Sequence, residues 1–223
     1  MYFLTFDTSL DKTYVTLFCD EKLEKTEIIE SHDDKYHSAY LIQNLVNLLK
    51  NFNLTMQDIE AIGVNIGPGS FTGIRACLTI ARVIAQQLEI PLVGVSSLEI
   101  LAQINKNNNQ TIVIMDARKN MCYFAHYDEN KQVIKEPQLI NIEDITLDKE
   151  NCIVIVDKSM QEILDKEKIQ TMCYTDVNDD LGKYLGELTY KMLMNNKEDY
   201  HWAKVKPLYL QKPSITLPKK QLI

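Results

Sequence analysis

Polar and apolar residues alternate through the opening of the chain. "YFLTFDTSL", "KTYVTLFCD" and "KLEKTEIIE" read as three successive strands, rich in β-branched and aromatic residues and separated by short polar turns. The period then lengthens. Tyr36–Phe52, "YHSAYLIQNLVNLLKNF", reads as a helix whose Leu41, Ile42, Leu45, Val46, Leu48, Leu49 and Phe52 cover an apolar arc of roughly 160°. "LTMQDIE" follows, with Thr55 and Asp58 at capping-box spacing and Asp in the place usually taken by Glu or Gln. "AIGVNIG" reads as a buried strand, and a glycine loop then launches a helix that runs to about Leu88. "IPLVGVS" is the next strand, after which Ser96 or Ser97 caps the helix "SLEILAQI". The order βββ, α, β, α, β, α predicts an α/β domain built on a mixed sheet.

The helix after the loop is too apolar for one sheet face. Arg75, Thr79, Arg82 and Gln86 fall in a wedge about 60° wide, with Gln87 the one polar residue elsewhere. Apolar residues from Ile74 to Leu88 fill roughly 220°, against the ~100° stripe that packing on a sheet requires. The helix is therefore either a central core helix or one whose second side meets another chain. Ile74, Leu78, Ala81 and Ala85 form the face assigned to the sheet. Ala76, Ile80, Val83 and Gln87 point nearly opposite, and His37, Tyr40 and Asn44 of the first helix border them; these seven are the candidate partner interface.

The loop itself, "GPGSFTGIR" (Gly67–Arg75), holds three of only seven glycines in the chain. It lacks the lysine and the following hydroxyl of a Walker A loop, and it does not give GxGxxG in frame. Two readings stand. Gly67, Gly69, Ser70, Thr72 and Gly73, with Asp7 at the end of the first strand, could contact an anion or nucleotide, because the loop ends at a helix N-terminus. Alternatively, the glycines let a strand turn sharply and aim a helix.

The second half repeats the first in part. After the polar break "NKNNNQ" (Asn105–Gln110), "MDARKNMCYFAHYDENKQV" from Met115 aligns with "FDTSLDKTYVTLFCDEKLE" from Phe6, placing Asp7 on Asp116, Tyr14 on Tyr123, Phe18 on Tyr127 and Lys22 on Lys131. The expected organisation is two similar lobes, residues 1–104 and 105–223, facing each other. Asp7 and Asp116 could then flank a cleft and bind a metal-bound phosphate, or merely cap strand turns.

Composition narrows the chemistry. A chain of 223 residues can bury a sizeable core. The net charge of −7 argues against a free-standing nucleic-acid binder. The charge is uneven: residues 200–223 carry five lysines (Lys204, Lys206, Lys212, Lys219, Lys220) and no acid. That stretch reads as a solvated end or as a nucleic-acid or partner contact. Five scattered cysteines without a CxxC indicate a reduced, cytoplasmic chain. No signal peptide or membrane span is read. The four histidines have no metal-site spacing, so no metal site is expected, and no GxSxG elbow is present.

"FDTS", His37-Ser38, "GPGSFTGIR", "IPLVGVSSLEILA", "MDARKNMCYF" and "PLYLQ" together closely resemble the bacterial TsaB (YeaZ) family, densely from Met1 to about Ala102 and more thinly to Gln211. The resemblance implies a two-lobed actin/Hsp70/sugar-kinase-like (ASKHA) fold with duplicated mixed-sheet lobes. It implies a non-catalytic dimerisation subunit of the complex that forms N6-threonylcarbamoyladenosine in tRNA. The implied partners are a catalytic TsaD-type paralogue in a heterodimer, a small TsaE-type ATPase, a second copy when the chain is alone, and tRNA only through the complex. If the lysines of residues 200–223 touch tRNA, they matter only in the assembled complex. No intrinsic cofactor is implied, ATP and Mg²⁺ acting only in the assembled complex. The helices matching Tyr36–Phe52 and Thr72–Leu88 are those that pair with a partner in the family.

The catalytic paralogue carries a metal-binding H-L-E-G-H where this chain reads Ser97-Leu98-Glu99-Ile100-Leu101, so both histidine positions are lost. The chain also departs from its own family. Ala39 replaces the Glu of HSE, "IVIVDKSM" (Ile153–Met160) lacks the GDG glycines, and Gln211 replaces a final Arg. The competing reading is an ATP-binding ASKHA-fold phosphotransferase or ATPase acting alone, which needs phosphate-gripping glycines in both lobes. A metallopeptidase needs a histidine pair, and a self-sufficient tRNA binder a basic surface.

Overall fold

A computed structural model describes residues 1–30, 40–147, 151–195 and 200–211. The first three strands are β1 (Tyr2–Asp7), β2 (Thr13–Cys19) and β3 (Lys22–Ile29), paired antiparallel as the alternation requires. α1 (Leu41–Asn51) follows. Thr55 donates its N–H and hydroxyl to the Asp58 carboxylate at 2.7 and 2.8 Å, opening a short 3-10 turn, Met56–Asp58. β4 (Ile59–Gly67) and β5 (Leu92–Ser96) add in parallel on either side of α2 (Phe71–Leu88), giving the order β3-β2-β1-β4-β5. Ser96, rather than Ser97, caps α3 (Ser97–Ala102), its Oγ accepting from Leu98 N.

The second half repeats this plan. β6 (Gln110–Arg118), β7 (Met121–Tyr127), β8 (Val133–Asn141), β9 (Cys152–Val156) and β10 (Met172–Cys173) stand in the order β8-β7-β6-β9-β10, with α4 (Lys158–Lys166) after β9 and α5 (Leu181–Asn195) after β10. Two sheets of matching order and sense form the duplicated, two-lobed ASKHA-like fold. The repeated hairpins differ by one register step. Asp7 lies opposite Tyr14, whereas Asp116 lies opposite Cys122, because β6 bulges between Asp116 and Arg118 to reach a tighter turn.

Burial follows the pleat. Leu4, Phe6, Val15, Leu17, Ile62 and Val64 form one cluster with Leu41, Leu45, Leu48 and Leu49 of α1 and Cys77, Leu78, Ala81 and Ala85 of α2. α1 and α2 therefore share one face of the first sheet. α5 crosses all five strands on the opposite face, although it comes from the second half, and α3 packs on β6 and β7. Gly182 and Gly186, one helical turn apart, let α5 approach closely: a Cβ at Gly186 would stand 2.0 Å from the Phe18 ring. The two halves consequently share a central core holding Val93, Val95 and Leu98 beside Val113, Ala125, Ile155 and Leu185.

Residues 200–211 are not a solvated end. They run back along α2 as a strap: Leu92 N donates to Tyr200 O at 2.9 Å and Leu208 N to Ile66 O at 2.8 Å. Arg82 donates to Ala203 O at 3.3 Å and also to Val205 O, and Trp202 and Val205 pack into the first-sheet cluster. Lys212, Lys219 and Lys220 lie outside the described residues.

Candidate partner interface and the glycine loop

α2 is oriented from its first turn. Gly67 has φ +103°, in the region that favours glycine, and its N–H donates to Asn65 Oδ1 at 2.8 Å. Asn65 is fully buried; its Nδ2 donates to Asp7 Oδ2 at 2.9 Å, and its Oδ1 also accepts from Ser97 Oγ at 2.8 Å. The other Asp7 oxygen accepts from Ser9 N and Ser9 Oγ at 2.7 and 2.6 Å. Asp7 is only 2% exposed, so its carboxylate ties the end of β1 to the loop.

The loop is then clasped by the β1–β2 turn. Ser70 N donates to Ser9 O at 2.8 Å, Thr8 Oγ1 donates to Gly73 O at 2.8 Å, and Ser70 Oγ caps α2 by accepting from Gly73 N at 3.2 Å. Side chains at the two inner glycines have no room: a Cβ on Gly69 would lie 2.6 Å from Ser9 O, and one on Gly73 1.9 Å from Thr8 O. Ser70 and Thr72 are exposed. Of the six residues proposed as an anion contact, Asp7, Gly67, Gly69, Ser70 and Gly73 thus take part in this backbone clasp. Its burial and the nearby Asp7 carboxylate push the Cys77 thiol well up, and Cys77 Sγ donates to Phe6 O.

The launched helix has the faces that its wheel predicts. Ile74, Cys77, Leu78, Ala81 and Ala85 are buried, Ala76 and Ile80 are half-buried, and Val83 and Gln87 are exposed. On α1, Asn44 is half-buried with its Nδ2 bonded to Tyr40 O at 2.9 Å. Tyr40 is 51%, Ile42 60% and Val83 55% exposed. His37 lies outside the described residues. Ile80 differs from the simple picture: it also packs on the chain's own cluster, because α2 sits beside α1 rather than alone. The outward surface of the helix pair is flanked by Gln43, Asn47, Thr79, Gln86 and Gln87, and neither helix carries an acid. Depletion of carboxylates around exposed apolar side chains matches the composition of an interface core.

The second lobe gives no matching loop. Asp157 takes the N-cap of α4, accepting from Met160 N at 2.8 Å and from Asp116 N at 2.6 Å. Burial raises its pKa against those two hydrogen bonds, with Asp116 and Asp11 adding to the rise. Asp116 accepts from Arg118 N at 2.7 Å. Tyr174 lies near Asp11, Asp157 and Asp7; burial first, then these charges, raises its phenol. The two lobes therefore meet across an acid-rich, tyrosine-lined region.

The family model described as "TsaD: tRNA N6-adenosine threonylcarbamoyltransferase" matches residues 27–184. The tRNA threonylcarbamoyladenosine biosynthesis protein TsaB of Buchnera aphidicola (subsp. Schizaphis graminum) is 30% identical over 152 residues, covering 64% of this chain and 70% of that protein. The chain belongs to the TsaB (YeaZ) family. The Escherichia coli TsaB is 32% identical over 138 residues, 58% of this chain and 57% of that protein. The YeaZ structure from Pseudomonas aeruginosa has the same fold, with a TM-score of 0.74 at 19% identity over 94% of this chain and 99% of that one. The family is thus shared with proteins named for tRNA threonylcarbamoyladenosine biosynthesis, and its model with a threonylcarbamoyltransferase. Among the described residues no helix is long and apolar enough to cross a membrane.

Missed from sequence was the strap, which takes up Arg75 and Arg82. These arginines form the polar wedge of α2, and one bonds Tyr209 and the other two backbone carbonyls more than 120 residues away. The legible signal was "PLYLQ" itself, a late motif without an element to belong to.

Proposed function

We propose that this chain is the non-catalytic subunit that pairs through the outer face of α1 and α2 with a TsaD-type catalytic paralogue, supporting transfer of a threonylcarbamoyl group to adenosine in tRNA. The observation that carries this reading is the acid-free helix pair with Tyr40, Ile42 and Val83 turned to solvent. Exposed apolar residues on two helices that pack on the same sheet face, with no acid among them, are what a docking surface offers.

The non-catalytic part of the reading is supported by what fills the relevant positions. Ser97, where the paralogue has a metal-binding histidine, is fully buried and donates to Asn65; Leu101, the second such position, is fully buried in the central core. The glycine loop holds its own chain's carbonyls, and the Asp157 carboxylate occupies the α4 N-terminus that would otherwise attract an anion. ATP and Mg²⁺, the small TsaE-type ATPase and tRNA then belong to the assembled cytoplasmic complex. In the absence of the paralogue the same face closes on a second copy of this chain.

The test is purification of the tagged chain from its own cells, with co-purifying proteins identified and transfer assayed for chain, paralogue and mixture. Paralogue capture, with transfer by the mixture and none by the chain alone, is the expected result. Transfer or ATP turnover by the isolated chain that is lost with Asp7→Ala overturns the reading in favour of an enzyme.

A further inference from the structure

α2 has a third side, beside the proposed interface. α1, α2 and residues 200–211 contain no aspartate or glutamate and hold Lys50, Arg75, Arg82, Lys204 and Lys206, in a chain of net charge −7. At the N-terminal end of α2 this cationic strip meets exposed aromatic surface. The Arg75 guanidinium lies 3.7 Å from the Phe71 ring centroid and 5.8 Å from that of Tyr209. Its Nε donates to Tyr209 Oη at 2.9 Å, and the two rings lie 5.7 Å apart. Phe71 is nonetheless 54% exposed and Tyr209 49%.

Arg75 has no carboxylate partner among the described residues, so the Nη donors of its fork are not engaged in an ion pair. The stack is held in place, because Leu208 N donates to Ile66 O and Phe71 sits on the clasped turn. The guanidinium lies over Phe71 with Tyr209 beside it, and the half-exposed rings present flat surface on which an unpaired base stacks, while the guanidinium fork and lysines take phosphate oxygens. An acidic protein segment would satisfy Arg75 but leave the ring faces without a matching group.

We propose that the Phe71–Arg75–Tyr209 stack, continued along the strap by Lys204 and Lys206, is an RNA contact: an unpaired base stacks on the exposed rings and adjoining phosphates meet the cations. This rests on the tRNA reading above and adds where RNA touches this subunit. The net charge of −7 makes the contact an accessory one, effective when the partner supplies the rest of the footprint.

Cells carrying the tagged chain are irradiated at 254 nm, the chain is purified, and RNA-bearing peptides are located by mass spectrometry. Adducts on the peptides holding Phe71 or Tyr209 are expected; adducts confined to other segments, or none, overturn the proposal. Co-purification of the paralogue in the same sample reports separately on the pairing reading. In the assembled complex, Phe71→Ala is expected to weaken binding of an unmodified tRNA transcript about fivefold or more, since stacking is worth that much per base. Lys204→Gln with Lys206→Gln is expected to reduce the salt slope by about 1.5, two phosphate contacts being lost. Unchanged affinity and slope, or loss of paralogue pairing in these variants, makes the patch something other than an RNA contact.

Discussion

Gly73→Ala pits two opposed effects against each other. Gly73 is the third residue of α2, and helix propensity alone makes alanine better than glycine there by up to about 1 kcal/mol. Packing demands the reverse. The new Cβ would stand 1.9 Å from Thr8 O and 2.8 Å from Thr8 C, backbone atoms that cannot rotate aside. Relief requires more than about 1 Å of separation between α2 and the β1–β2 turn, an overpacking that costs about 1–3 kcal/mol. The same movement strains the Thr8–Gly73 and Ser9–Ser70 hydrogen bonds, worth about 1 kcal/mol each. A net loss of about 3 kcal/mol is therefore expected, which for a chain of this size lowers Tm by about 6–12 °C. Urea unfolding followed by far-ultraviolet circular dichroism measures it. A variant as stable as the parent, or more so, refutes the clasp as the device that aims the helix.

Two further perturbations probe other parts of the fold. Burial, reinforced by Glu136 and opposed by Lys191, raises the pKa of Glu99. A carboxyl whose folded pKa exceeds its unfolded one keeps its proton longer when folded, so stability falls as pH climbs from the ordinary glutamate value of about 4.3 through the raised one. Glu99→Gln is expected to match the parent near pH 4 and to gain on it toward pH 7 in thermal melts; a constant or shrinking difference contradicts this. Arg82→Gln removes charged donors to Ala203 and Val205, bonds worth about 1.5–3 kcal/mol, so trypsin should cut after Lys204 at least tenfold faster, Lys206 being protected by the following Pro207. An unchanged rate assigns the strap's hold to the packing of Trp202 and Val205 and to the backbone bonds of Tyr200 and Leu208.

Much of the first lobe was legible because its signals are local. Strand alternation, the Thr55–Asp58 pair, the Ser96 cap and the wheel of α2 each depend on residues within a few positions of one another. The duplication was legible in part: matching Asp7 with Asp116 found the repeated hairpin, but the bulge after Asp116 moves Cys122, not Tyr123, opposite it. The crossing of α5 onto the first sheet needed long-range pairing, although Gly182 and Gly186 at one-turn spacing were a usable sign of close approach. The same limit hid the strap. Arginines bonding groups more than 120 residues away leave no pattern in sequence, so Arg75 and Arg82 read only as the polar wedge of α2, and residues 200–211 as a solvated end or a contact with nucleic acid or a partner.

Val83 tests the pairing surface most directly. It is 55% exposed, whereas Ile80 also packs on the chain's own cluster, so a charge at Val83 perturbs the surface with least effect on folding. Val83→Glu should leave free-chain stability within about 0.5 kcal/mol. Buried unpaired in a complex, the same carboxylate should cost at least about 3 kcal/mol, weakening Kd for the TsaD-type paralogue about a hundredfold or more. The measurement is calorimetric titration of the paralogue with parent and variant, each checked for folding by circular dichroism. A folded variant with pairing lost or weakened to that extent is the expected result, and a folded variant with unchanged Kd contradicts the assignment of the α1/α2 face.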